Sequence, residues 1–158
     1  MANGWQTLVS VANTIAGAGA IGLETAFIGR VRDDARGHFY ADAMNDNGID
    51  FVNPPVAGGA LPTSRSMIFV APDGERSMNT YLGISSELDS DDVPNEVAGR
   101  AAIMFLEGYL FDKDKGKAAF LAAARACRDA GAILMYGENL CFAPKHELRR
   151  RLPLTGSG

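Results

Sequence analysis

A carboxylate at the end of an apolar strand is placed to meet a ligand, and Glu107 occupies such a position. Ile103-Met-Phe-Leu106 runs without a polar interruption into Glu107-Gly108, and a helical pattern follows. That order predicts a central strand of a sheet covered on both faces. Ligands of open α/β sheets bind just outside the carboxyl ends of the strands. Glu107 is therefore a ligand candidate, and Gly108 beside it leaves room for close approach. The plain alternative is a solvated acid at a strand-to-loop junction. Asn13 is a second candidate, near the start of a helix rich in tiny residues, where a backbone N-terminus can meet a polar ligand. Its alternative is ordinary capping or packing.

Other groups carry weaker chemistry. Gly17-Ala-Gly-Ala-Ile-Gly22 matches the dinucleotide-binding G-x-G-x-x-G letter for letter. That fingerprint needs a strand before it and a full helix after it, whereas here a strand is predicted almost at once. Helix-packing glycines explain it better, and a Rossmann-type nucleotide binder stays the lesser alternative. His38 and Asp42 share a helix face at i and i+4, but no third metal ligand is apparent, so a surface pair is expected. The acidic run Glu87 to Glu96 lacks the glycine of a calcium loop. Asp112, Lys113 and Asp114 read as a solvated helix start, and His146 falls in an irregular tail. No G-x-S-x-G elbow or Walker-type loop occurs. No metal site is assigned.

The elements that would position these groups follow from periodicity and turn residues. A helix is expected from Ser10 to Gly22, then a short buried strand from Thr25 to Gly29. Asp33-Asp34 offers an N-cap for the next helix, with a face set by Phe39, Ala43 and Asn47 alongside Tyr40 and Met44. Asn47-Gly48 ends it, and Ile49 to Val52 returns as a strand. A Gly/Pro-rich connection covers Asn53 to Pro62. Arg65 to Val70 and Arg76 to Tyr81 flank Asp73-Gly74, a hairpin signature that should stand off the main sheet. Asp89 to Ala98 reads as a short helix capped by Ser90 or Asp91. Lys113 to Ala130 reads as a helix with Phe120, Ala124 and Cys127 on its apolar face. Ile133 to Tyr136 completes a parallel β-α-β crossover.

With 158 residues, 47% hydrophobic and 22% charged, the chain is long enough for one globular domain. A net charge of -4 gives no support for a nucleic-acid partner, and Arg149-Arg150-Arg151 reads as a solvated tail. No run reaches membrane-span length, and Met1 to Trp5 lacks the positive region of a secretory signal. Cys127 and Cys141 have no CxxC partner, so free thiols in a cytoplasmic protein are expected.

Four stretches, taken together, resemble the PfkB/ribokinase-type kinases, particularly bacterial adenosine-kinase-like and sugar-kinase-like members. They are Ser10-Val-Ala-Asn-Thr-Ile-Ala16, Phe27-Ile-Gly-Arg-Val-Arg-Asp-Asp-Ala-Arg-Gly37, Pro72-Asp-Gly-Glu-Arg-Ser-Met78 and Phe105-Leu-Glu-Gly-Tyr109. The resemblance runs from about Ser10 to Ala132. It implies an α/β fold, a ribokinase-like three-layer α/β/α domain that is incomplete here, with a small β lid hairpin at 63–84. It divides the chain into an atypical segment 1–9, a partial kinase domain 10–136 and an irregular tail 137–158.

The resemblance implies transfer of the ATP γ-phosphate, with Mg2+, to a hydroxyl of a sugar or nucleoside. It makes Asn13 a substrate-contacting asparagine and Glu107, with Gly108, a sugar-contacting acid and its neighbour. Leu82 and Ile84 match lid positions that cover the base in adenosine kinases. A homodimer through the lid is a further implication. The departures also count. Leu8 and Val9 replace the usual glycine pair, Arg32 stands where glycine is common, and an upstream strand with its aspartate has no counterpart. Neither N-x-x-E nor G-x-G-D occurs, so no catalytic residue, ATP ligand or magnesium ligand is assigned. The expectation is a substrate-side kinase fragment, inactive alone. A self-associating non-catalytic α/β module is the alternative.

Overall fold

Residues 10–137 are described by the structure, a computed structural model. They form two compact units: residues 15–87 make one, and residues 10–14 with 88–137 make the other.

In the first unit, α1 (Ser10–Ala20) runs on from the second unit and stops at a glycine. Gly22 has φ +92°, its N–H bonds Gly19 O at 2.9 Å, and Leu23 N bonds Ala18 O at 3.2 Å. This is a Schellman closure, which needs a residue comfortable in the left-handed region. The last glycine of the G-x-G-x-x-G string thus terminates a helix, and Gly17 and Gly19 lie inside it. The nucleotide fingerprint is ruled out, because its glycines must sit between a strand and the helix that follows.

The chain then forms β1 (Thr25–Phe27), α2 (Ala35–Asp46) and β2 (Ile49–Phe51), with β1 and β2 parallel in the register Thr25↔Ile49 to Phe27↔Phe51. Asp34 caps α2, accepting from Gly37 N at 2.8 Å, as the Asp33-Asp34 pair predicted. The buried stripe of α2 is Gly37, Ala41 and Met44, not Phe39, Ala43 and Asn47. Phe39 is 39% exposed. Asn47 lies past the last turn, where its Nδ2 donates to Ala43 O at 2.7 Å and satisfies a terminal carbonyl.

Tyr40 meets Phe27 and Phe51 in a three-ring cluster with centroid distances of 5.8–5.9 Å. Its hydroxyl is buried with no hydrogen-bond partner among the described residues, and burial pushes the phenol pKa up. Tyr40→Phe keeps the rings and removes a polar atom that lost its water on folding. Its urea midpoint is expected to hold or rise, by up to about 1 kcal/mol. A clear fall would show that the hydroxyl has a partner.

β3 (Arg65–Val70) and β4 (Arg76–Tyr81) form the antiparallel hairpin with the predicted bounds. Its loop closes through Ala71 N–Glu75 O at 2.8 Å, with Gly74 at φ +87°. Every hairpin residue is exposed except the half-buried Ile68, so these strands stand clear of other layers among the described residues. A 3-10 turn, Gly83–Glu87, follows.

The second unit begins with a 3-10 turn, Ser90–Asp92, and the four-residue α3 (Asn95–Ala98). The single helix expected over 89–98 is therefore split. Pro94 cannot donate and holds Val93 extended at φ -104°, ψ 92°. The cap is Asp89, in a reciprocal capping box with Asp92, not Ser90 or Asp91.

β5 (Ile103–Glu107), α4 (Asp114–Asp129) and β6 (Ile133–Gly137) form the expected parallel crossover, in register from Ile103↔Ile133 to Glu107↔Gly137. β5 is not covered on both faces: among the described residues it pairs with β6 alone, and Ile103 is 55% exposed. α4 buries Gly116, Ala119, Phe120, Ala123 and Cys127, one residue off the predicted stripe at Ala124. Phe120 packs edge-on to Phe111 at 5.7 Å. Gly131 closes α4 in a second Schellman motif, with Ala132 N on Cys127 O at 2.9 Å. Cys127 is 1% exposed and burial raises its thiol pKa, so it behaves as a core residue. Cys141, His146 and the three arginines lie outside the described residues. Among those described, no helix is long and apolar enough to cross a membrane.

Candidate functional site

Glu107 is the last residue of β5, and the chain leaves the strand there through a 3-10 turn, Gly108–Leu110. Its Oε2 accepts a hydrogen bond from Val11 N at 3.2 Å. Val11 lies in the first turn of α1, where backbone N–H groups have no partner within the helix and the helix dipole favours negative charge. Glu107 and the turn carrying Asn13 are thereby drawn together in one unit. Asn13 itself is exposed. Oε2 is held by the helix end, while Oε1 has no hydrogen-bond partner among the described residues. The helix N-terminus that Asn13 marked as a place for a polar ligand already carries a carboxylate.

Gly108 is buried directly behind Glu107. The 3-10 turn is pressed onto the first turn of α4: a Cβ on Gly116 would lie 2.0 Å from Leu110 O. That close approach fixes where β5 ends and so where Glu107 stands.

Leu82 and Ile84 belong to the other unit. Ile84 is 3% exposed, and its N–H donates to Pro62 O at 2.9 Å where the chain returns from the hairpin. Leu82, just before it, is half-buried.

A polar clasp at the hairpin base contains a residue that sequence reasoning missed. Asp34 accepts from Thr63 N at 3.0 Å and Thr63 Oγ1 at 2.8 Å as well as from Gly37 N. Thr63 Oγ1 also accepts from Arg32 N at 2.9 Å, and Thr63 is 3% exposed. Desolvation works to raise the Asp34 pKa, but the Thr63 and Gly37 donors outweigh it and hold the carboxyl below its ordinary value. Arg32 clamps the Gly/Pro-rich connection, with Nε on Leu61 O at 2.7 Å and Nη1 on Val56 O at 3.2 Å. A side chain where glycine is common thus serves loop order. The Asp33-Asp34 pair signalled the cap; nothing local pointed to Thr63.

His38 pairs with Asp33, Nε2 to Oδ1 at 2.7 Å, rather than with Asp42, and both side chains are at least half exposed. Among the described residues no three His, Cys, Asp or Glu side chains gather as metal ligands.

The sequence profile of the pfkB family carbohydrate kinases matches residues 10–154. The structure superposes on the adenosine kinase of Sinorhizobium meliloti with a TM-score of 0.74 and 40% identity, over 79% of this chain and 38% of that one. Fructokinase-1 of Zea mays is 30% identical over 131 residues, 82% of this chain and 40% of that protein. A fructokinase of Xylella fastidiosa solved with bound ATP shares the fold, with a TM-score of 0.72 at 17% identity. The chain spans about two fifths of the length of the first two relatives. The fold is the α/β fold of ribokinase-like proteins, and with the profile matching nearly the whole sequence, this chain belongs to the PfkB family of carbohydrate kinases.

Proposed function

We propose that this chain carries the acceptor-binding part of an ATP-dependent kinase that phosphorylates a hydroxyl of a sugar or nucleoside. The observation that carries this reading is Glu107 at the carboxyl end of β5, with one oxygen held by the α1 N-terminus and the other without a hydrogen-bond partner among the described residues. In this reading Glu107 orients an acceptor hydroxyl and does not remove its proton. Asn13 offers a second polar contact and Gly108 keeps the strand end clear; Leu82 and Ile84 are the lid positions the resemblance names, and Ile84 is buried within its own unit. The likeness to an adenosine kinase and a fructokinase supports either acceptor class.

ATP would supply the phosphoryl group. The family's N-x-x-E and G-x-G-D strings do not occur in the sequence, so no ATP or magnesium ligand is assigned here. Phosphoryl transfer rests on a metal, an anion hole and a base acting together. The chain alone is therefore expected to bind acceptor without turning ATP over, in the cytoplasm.

Calorimetry with adenosine, ribose and fructose tests the reading. One of them should bind, and Glu107→Ala should weaken it by roughly 10- to 100-fold, the range for a hydrogen bond to a charged group. Binding indifferent to Glu107→Ala would sink the assignment.

A second reading, a self-associating module, is favoured by the hairpin. Met67, Phe69, Val70, Met78 and Tyr81 are 44–70% exposed and lie on both of its faces. A dimer in sedimentation that Phe69→Asp or Met78→Asp dissolves would support it; a monomer at all concentrations would count against it.

A further inference from the structure

Successive side chains of a strand point to opposite faces, so Phe105 and Glu107 share one face of β5. Leu106, 9% exposed, lies on the other. In the register with β6, Met135 stands beside Phe105 and Gly137 beside Glu107. A Cβ on Gly137 would lie 3.1 Å from Phe105 Cζ and 3.8 Å from each Cε. The tip of the ring therefore points into the space that Gly137 leaves free next to Glu107. Phe105 is half-buried, so part of its surface is still open to a ligand. An aromatic ring and a carboxylate thus stand together at the carboxyl end of the strand, where open α/β sheets bind ligands.

We propose that Phe105 is a specificity-determining residue of the acceptor site, selecting a cyclic sugar, free or within a nucleoside, over an open-chain polyol. The proposal rests on the acceptor reading of Glu107 given above. A hydroxyl of either ligand class can donate to the Glu107 carboxylate, so Glu107 does not tell the two apart. The aromatic ring does, because its electron-rich, apolar face packs on the carbon-bound hydrogens of a rigid furanose or pyranose. A flexible polyol has no preformed face of that kind and must give up chain freedom to imitate one. Gly137 is the positioning residue, since a methyl group there presses the ring tip back from Glu107.

The test is calorimetry of the full chain with ring ligands and their open-chain counterparts: adenosine and ribose against ribitol, fructose against mannitol. The ring ligand that binds should do so about three- to tenfold more tightly than its counterpart, the range of one aromatic contact. Phe105→Leu keeps an apolar side chain and removes the flat face, so this preference should shrink towards one while polyol binding holds. A merely structural role would weaken both ligands alike and leave their ratio unchanged. Gly137→Ala leaves Phe105 and Glu107 in the chain and should narrow the ratio too, so the outcome does not depend on one variant remaining folded. Glu107→Ala should weaken both ligands and keep the ratio. Equal binding of ring and open-chain ligands, or a ratio indifferent to both Phe105→Leu and Gly137→Ala, would overturn the proposal and leave the acceptor reading standing. A ratio that Phe105→Leu abolishes, with binding indifferent to Glu107→Ala, would sink the Glu107 reading alone. Binding of none of these ligands would overturn both.

Discussion

Gly37→Ala is expected to cost about 4 kcal/mol, most of the stability of an ordinary small domain. A Cβ on Gly37 would lie 1.8 Å from Arg32 O and 3.0 Å from Thr63 Oγ1. Neither neighbour is the loose end of a side chain. The Arg32 backbone is held by its bridge to Val56, and Thr63 Oγ1 is buried between Arg32 N and Asp34. Relief would require moving the first turn of α2 off the connection that leads to the hairpin. Helix propensity acts the other way, favouring alanine by up to about 1 kcal/mol, so the sign of the result reports which effect wins. Gly17→Ala is the control, because nothing lies within 4 Å of its Cβ position inside α1. That variant should gain up to about 1 kcal/mol. Urea unfolding of both chains measures the contrast. An undiminished midpoint for Gly37→Ala would mean that the close approach does not exist.

What was legible in the sequence was local. The hairpin over 65–81 announced itself by two β-prone runs around Asp73-Gly74, and α2 by Asp34 before it and Gly48 after it. Each signal lies within a few residues of the structure it specifies. The open face of β5 was not legible, since Ile103-Met-Phe-Leu106 reads alike whether a second helix layer lies beside it or belongs to residues not spanned here. The acidic run over 89–98 carries a helical signal, but Pro94 and its effect on Val93 decide the break. At the candidate site, Glu107 was found from its place at a strand end, but its bond to Val11 spans 96 residues and no spacing announces it. Thr63 escaped for the same reason, as its partners Arg32 and Asp34 lie 31 and 29 residues back.

Asp34→Ala is expected to destabilise the first unit by about 3 kcal/mol, through the lost cap and a stranded, buried Thr63. Three donors lose their acceptor: Gly37 N, Thr63 N and Thr63 Oγ1. Asp34→Asn should fall between, because its amide retains one acceptor oxygen where the carboxylate had two. The pH dependence has a definite sign. The folded-state pKa of Asp34 lies below the ordinary carboxylate value near 3.8, so its contribution is complete above that value. It is lost as pH falls through the lower, folded-state pKa. Acid unfolding of Asp34→Asn should therefore begin from lower stability and slope less steeply below pH of about 4. A loss of equal size at every pH would show that the clasp does not depend on the ionised carboxylate. Thr63 stands two residues before β3, so the same substitution should loosen the root of the hairpin. Trypsin at the exposed Arg65 and Arg76 measures that loosening, and cleavage there should quicken relative to cleavage elsewhere. If both sites were cut no faster while the midpoint fell, the clasp would hold α2 alone and the lid would be anchored elsewhere, at Pro62 and Gly83.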